Sequence, residues 1–173
     1  GGRTMEALIA RGAFDGVVDL TTTEMADLLL GGTASAGEER LKAASAIGIP
    51  QVIAPGAIDM VNFGPPETVP DTFSDRTKYQ HTPLTTLVRT TPADTAQIAK
   101  MTSERLNLAS GAVVVFWPGG GVSDYDSPGQ DFMIPLPYCW LHEMKRSLNT
   151  TVSVLRPTIT SIIPISQHYV PNG

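Results

Sequence analysis

The sequence predicts an α/β domain: an open, mainly parallel sheet of about five strands with helices on both faces, Rossmann-like in architecture. Three observations point there. Strand-like apolar runs alternate with helix-like segments, the helix-like segments carry start and stop signals, and Ala112-Val113-Val114-Val115-Phe116-Trp117 is apolar without alternation. An unbroken run of that kind fits a strand buried on both faces of a parallel sheet. A chain of 173 residues buries roughly 70% of its unfolded surface on folding, enough for a core without disulfides or metal.

Taken in order, Gly2 to Gly12 reads as a short helix whose apolar face is Met5, Leu8 and Ile9, with Gly12 as its stop. A strand follows over Phe14–Leu20. Thr21-x-x-Glu24 has the form of a capping box and opens a helix through Met25, Leu28 and Leu29 to Gly31-Gly32. Ser35-x-x-Glu38 repeats that signal for a helix ending at Gly48, and Ile49–Ala54 is the next strand. Ala57 to Pro83 is rich in Pro, Gly, Asp and Thr and reads as one long connection, functional or mobile by its length. A strand over Leu84–Arg89 leads to Thr91-Pro92, the N-cap and first residue of a helix reaching about Leu108. After the Ala112–Trp117 strand, Asp124–Pro137 is loop, Tyr138–Leu148 an amphipathic helix and Thr151–Leu155 a last strand. Residues 1–156 therefore form the domain, and 157–173 an irregular tail or edge strand.

Charge and composition narrow the function. Twelve Lys and Arg against 17 Asp and Glu give a net charge of −5, so the basic footprint of nucleic-acid binding is missing. The lone cysteine, Cys139, forms no internal disulfide and fits a reducing, cytoplasmic compartment. No apolar run of about 18 residues suggests a membrane span. The start at Gly1-Gly2-Arg3 without Met suggests a fragment or a processed end.

In an open parallel sheet, ligands gather at the carboxyl ends of strands. Gly119-Gly120-Gly121-Val122-Ser123 follows the most apolar strand, and its glycines let main-chain N–H groups approach an anion. It matches neither the P-loop nor the dinucleotide fingerprint. Thr21, Thr22, Thr23 and Glu24 combine hydroxyls with a helix start, a second anion position. Gly1 and Gly2 resemble the end of another such loop. Asp59 and Asn62, three apart on one side of a helical turn, suit a substrate hydroxyl, a water or Mg²⁺. Arg89 is placed as a carboxylate or phosphate clamp, and His81 as an acid–base group in the long loop. A turn, a cap, an Asx turn or an ion pair would explain each of these without function. Cys139 beside Trp140 reads as a packed thiol, and the histidines lack zinc-ligand spacing.

Several strings together carry a resemblance: Gly1-Gly2-Arg3-Thr4-Met5-Glu6-Ala7-Leu8, Phe14 to Glu24, Pro50 to Gly64, Arg89-Thr90-Thr91-Pro92 and Gly119 to Ser123. They resemble the second half of a poorly characterised family of two-domain proteins related to the ATP-binding, amino-terminal module of the tomato mosaic virus resistance protein. The resemblance covers roughly Gly1 to Leu148. It implies two Rossmann-like domains, a ligand site near their junction, ATP binding and self-association; the expected cofactor is ATP or a related nucleotide, with Mg²⁺ as its companion ion. The family's first domain, with its own Gly-Thr-x-Asp-Thr-Lys motif, is not in this sequence. The leading expectation is thus a nucleotide- or phosphometabolite-binding domain and homo-oligomer. The alternatives are an enzyme on a small phosphorylated or carboxylated metabolite, using Asp59, Asn62, His81 and Arg89, or a protein-interaction module using the Pro-rich loop.

Overall fold

The computed structural model describes residues 1–126, 129, 137–149 and 152–155. In chain order the elements are α1 (Gly2–Ala10), β1 (Val17–Thr21), α2 (Glu24–Leu30), α3 (Ala43–Ile47), β2 (Gln51–Gly56), β3 (Met60–Phe63), β4 (Lys78–Thr82), β5 (Thr85–Arg89), α4 (Pro92–Leu106), β6 (Val113–Phe116), α5 (Pro137–Ser147) and β7 (Val152–Leu155). The fold class is α/β with a parallel sheet flanked by helices. Four parallel strands run in the order β1-β2-β6-β7, and β3-β5-β4 form a separate antiparallel sheet.

Register decides what each face of the parallel sheet presents. Asp19 aligns with Ile53, and Ile53 with Val115; all three are buried. Val18, Val52 and Val114 alternate to the opposite face, where Val18 stays 66% exposed. Both sheets share one core, because Val61, Phe63 and Val88 of the small sheet pack with Ile53, Val115, Ile98 and Trp140. Burying side chains of this size contributes about 1.5–3 kcal/mol each.

The second sheet is where the chain departs from its sequence pattern. The stretch Ala57–Pro83 is not one loop, since it contains β3 and β4, and the strand expected over Leu84–Arg89 joins them rather than the parallel sheet. The parallel sheet accordingly has four strands among the described residues. β3 is only four residues long, and every residue of β4 is exposed, so neither carries a readable apolar period. The helix expected from Ser35 begins only at Ala43. By contrast, α4 starts as its sequence dictates: Thr91 caps it, the Asp94 N–H donates to Thr91 Oγ1, and Asp94 accepts from the Thr91 N–H in return. The tail over 157–173 lies outside the described residues.

Candidate functional site

The carboxyl ends of β1, β2 and β6 lie side by side, and hydrogen bonds link the segments that leave them. The Thr22 N–H donates to Gly56 O at 3.0 Å, and the Thr22 hydroxyl to Ala54 O at 3.2 Å. One residue on, the Ala57 N–H donates to Val122 O at 2.7 Å. The threonine triplet and the glycine loop thus stand on one rim of the sheet, joined through the end of β2. The approach there is close: a Cβ on Gly56 would collide with Leu20 O. Ala57 carries a left-handed φ of 55°, a conformation that non-glycine residues adopt at some cost.

Beneath the glycine loop lies a buried ionic group. Asp59 and Arg89 are 0% and 2% exposed. Arg89 Nη1 stands 3.1 Å from Asp59 Oδ2 and donates to Asp59 O, while Nη2 pairs with Asp126 Oδ1 at 2.7 Å. The Ser123 hydroxyl donates to Asp59 Oδ2 at 2.7 Å, and the Val122 N–H to Asp126 Oδ2. Burial pushes the Asp59 carboxyl above its ordinary range, against the Ser123 hydrogen bond and the Arg89 charge. Burial also lowers the Arg89 guanidinium, which Asp59 and Asp126 only partly offset. Arg89 does clamp carboxylates, as its placement suggested, but they belong to the protein itself. The group ties the turn after the glycine loop to β5.

A second buried group lies beneath the threonines. Arg40, 1% exposed, pairs with Asp19 at 2.6 Å, Glu6 at 3.2 Å and Glu24 at 3.4 Å. Burial opposes its charge, but the Asp19 hydrogen bond and the Asp19, Glu24 and Glu6 charges together raise the Arg40 guanidinium above its usual value. Glu24 does not close the expected capping box. Thr23 is the N-cap residue of α2 with no side-chain cap bond, and Glu24 Oε1 accepts from the Gly2 N–H at 3.2 Å. Gly1 and Gly2 therefore meet the threonine segment, and a Cβ on Gly2 would stand 2.6 Å from Glu24 Oε1. Glu6 turns α1 away from its expected face: Gly2, Glu6 and Ile9 are buried, and Leu8 is 39% exposed. Its carboxylate accepts from the Leu41 and Ala43 N–H groups, holding Leu41 at a left-handed φ of 67°.

Asn62 and His81 have separate settings. Asn62 is in a strand, not a helical turn with Asp59; its amide donates to Asp27 Oδ2 at 2.8 Å and Thr23 Oγ1 at 3.3 Å. Asp27 is fully buried, and burial raises its carboxyl despite hydrogen bonds from Asn62 and Ala34. His81 lies on exposed β4, where its Nδ1 meets the Tyr125 hydroxyl at 2.8 Å, and Tyr125 packs on Tyr79 with ring centroids 4.7 Å apart. Tyr125 belongs to the same turn as Ser123, whose Oγ accepts its N–H.

Glycines in the loop have unequal tasks. Gly121 has φ +120° and a Cβ there would lie 2.6 Å from Asp126 O, so the fold demands glycine. Gly119 is exposed, and a Cβ built on it meets nothing within 4 Å among the described residues. Sequence reading missed Arg40, Asp126, Tyr79 and Tyr125. Arg40 stood in a stretch read as a helix, and the others in stretches read as loop. Open grooves also occur among the described residues. One, of about 440 Å³, includes Glu6, Ala7 and Ala43, and another includes Ala93, Cys139 and His142. Among the described residues, no helix is long and apolar enough to cross a membrane.

A four-stranded parallel sheet whose carboxyl-end loops meet over buried ion pairs defines an α/β domain with a loop-built rim. The chain belongs to the uncharacterised protein family UPF0261, whose C-terminal domain model matches residues 1–159. It is 52% identical over 132 residues to a UPF0261 protein of Clostridium tetani, covering 76% of this chain and 33% of that protein. It is 44% identical over 153 residues to a UPF0261 protein of Rhizobium meliloti, covering 88% of this chain and 38% of that protein. The ToMV resistance protein Tm-1(GCR237) of Solanum lycopersicum is 44% identical over 135 residues, covering 78% of this chain and 18% of its own length. The chain thus spans well under half the length of these relatives.

Proposed function

We propose that this domain binds the phosphate groups of a nucleotide, ATP-like, or of a phosphorylated metabolite, with the main chain of Gly119, Gly120 and Gly121 as the anion cradle and Thr21 and Thr23 beside it. The observation that carries this reading is Gly119. It is exposed on the rim, its φ is not in the left-handed region, and among the described residues a Cβ built there meets nothing within 4 Å. A glycine that neither its conformation nor the packing of the described residues demands is suited to the approach of a ligand to the main chain. Asp59, Arg89, Ser123 and Asp126 act as the brace that presents the loop, and Glu24 and Gly2 as part of the neighbouring brace.

Among the described residues no group of three or more His, Cys, Asp or Glu side chains is arranged to hold a metal, and in this reading Mg²⁺ arrives on the nucleotide's own phosphates. In the longer protein a preceding domain completes the site, and the assembly is a cytoplasmic homo-oligomer. The resemblance to proteins related to an ATP-binding module and the shared rim support the reading.

Titration calorimetry with Mg-ATP and with inorganic tripolyphosphate, on this chain and on the longer Clostridium tetani relative, tests it. Gly119→Asp puts a carboxylate where the phosphate would rest, at a backbone position that is not left-handed. The expected result is saturable heat that this substitution abolishes. Absence of binding by both proteins, or binding indifferent to Gly119→Asp, would refute the proposal.

A further inference from the structure

β1 lies at one end of the parallel sheet, where β2 is its only neighbouring strand among the described residues. The Val17 N–H donates to Pro50 O, just before β2. Main-chain groups alternate in direction along a strand, so those of Val18 and Leu20 turn to the side away from β2. The side chains of Val18 and Leu20 are 66% and 57% exposed. Such an edge offers a row of unmade hydrogen bonds, which folded proteins commonly block with lysine, proline or a covering element. β1 reads Val-Val-Asp-Leu-Thr, with neither of those residues, and the charge of Asp19 is taken up by Arg40 on the inner face.

Chain direction decides which partner fits that edge. Arg40 ties Asp19 to Glu6 of α1. Ile53 and Val115, on the same face as Asp19, pack with Met25 of α2, Ile98 of α4 and Trp140 of α5. These four helices therefore lie on one face, and the steps from β1 to β2, β6 and β7 all cross that face in one direction, with a single hand. α1 lies on the same face and leads into β1. A parallel strand that leads into α1 with the same hand falls on the side of β1 away from β2, where Val18 and Leu20 hold out their main chain. The start of α1 is placed to receive it: the Gly2 N–H donates to Glu24 Oε1, just past the carboxyl end of β1. A chain reaching α1 arrives at the rim where parallel strands end, and a turn of the usual 2–6 residues would make the join.

The relatives contain such a chain: the matched family model is that of a C-terminal domain, and this chain covers 33% and 38% of the Clostridium tetani and Rhizobium meliloti proteins. We propose that in the longer protein a strand from the part that precedes this domain adds to the free edge of β1, parallel to it, and that apolar side chains from that part cover Val18 and Leu20. Main-chain hydrogen bonds to Val18 and Leu20 supply the pairing, and the two exposed apolar side chains set its register. The preceding part and this domain then share one continuous sheet. This surface is independent of the anion reading.

Amide hydrogen exchange along β1, in this chain and in the whole Clostridium tetani relative, tests the proposal. In this chain the Val18 and Leu20 amides should exchange freely while those of Val17 and Asp19, turned to β2, are protected. In the longer relative the amides aligned with Val18 and Leu20 should be slowed about a hundredfold or more. Equal, fast exchange in both proteins would overturn the proposal. So would protection of Val18 and Leu20 in this chain alone, and sedimentation at two concentrations would then show whether a second copy holds the edge. A double substitution, Val18→Lys with Leu20→Lys, gives a second readout. It should leave the thermal midpoint of this chain within about 2 °C, and lysines at the aligned positions should lower that of the relative by about 5 °C or more. Tolerance in both proteins, or a loss of that size in both, would overturn the proposal.

Discussion

Arg40 and Arg89 are buried almost equally, at 1% and 2% exposure, yet their surroundings treat the same charge in opposite ways. Three carboxylates from α1, β1 and α2 converge on Arg40 and raise its pKa despite burial. Among the described residues two carboxylates meet Arg89, where desolvation prevails: the guanidinium is lowered and Asp59 is raised. The first group is an over-supplied staple that joins α1 to the parallel sheet. The second is a closely balanced brace under the glycine loop. The lesson is that the two halves of the rim, though adjacent, differ in what holds them: the threonine side is locked by excess negative charge, and the glycine side by a buried network with little to spare.

The sharpest way to break this comparison is to remove each cation. Arg40→Met strands Glu6, Asp19 and Glu24 beside one another, and a loss of about 3–5 kcal/mol or more is expected in urea unfolding. Among the described residues, Arg89→Met strands Asp59 and Asp126, and Asp59 can relieve the repulsion by taking up a proton. It should therefore cost less than Arg40→Met, and its own cost should shrink further at mildly acid pH. An equal cost at all pH values would mean that the two groups are alike.

A second, smaller contrast lies within the loop. Gly121→Ala forces a side chain into a left-handed backbone beside Asp126 O, and a loss of about 1–3 kcal/mol is expected. Gly119→Ala has no such obstacle among the described residues, and thermal unfolding should show stability unchanged or raised by up to about 1 kcal/mol. Comparable losses at both positions would remove the reason for assigning Gly119 to a ligand.

The smallest effect sharpens the acid–base side. With Asp59 raised, the folded protein holds that proton more tightly than the unfolded chain does. Stability contributed by this group is therefore gained as pH falls through the raised value and lost as pH rises through the window above the ordinary aspartate range. Asp59→Asn keeps an oxygen for Ser123 and Arg89 while deleting the titration. Its stability near neutral pH should lie within about 1.5 kcal/mol of the parent. Its unfolding midpoint should vary less with pH across that window, measured in urea at a series of pH values. The Asp27 carboxyl, also raised, supplies an unaltered internal reference.

What the sequence discloses follows from how far each signal reaches. The parallel strands and α4 were legible because their causes are local: an unbroken apolar run at Val113–Phe116, and Thr91-Pro92 with Asp94 at a helix start. The shared rim was legible too, since loops that follow parallel strands must leave from one edge. The antiparallel sheet was not, because β4 is polar and exposed throughout and owes its existence to pairing with β5. Neither were the ion-pair groups. Arg40 lies 34 residues from Glu6, and Arg89 lies 37 from Asp126, distances over which no periodicity operates. Asp59, Asn62 and Arg89 drew notice as candidate chemistry for the same reason that they matter structurally: polar groups at strand ends are either paired internally or offered to a ligand. Only coordinates separate those two fates.

Amide-resolved NMR of the labelled chain during titration with inorganic tripolyphosphate examines the anion cradle at the atoms it invokes. The expected result is saturable shifts of the Gly119, Gly120 and Gly121 amide signals, with smaller ones at Thr21 and Thr23 and none along the α1–α3 groove. Shifts confined to that groove, or an unmoved glycine loop at saturating tripolyphosphate, would contradict it.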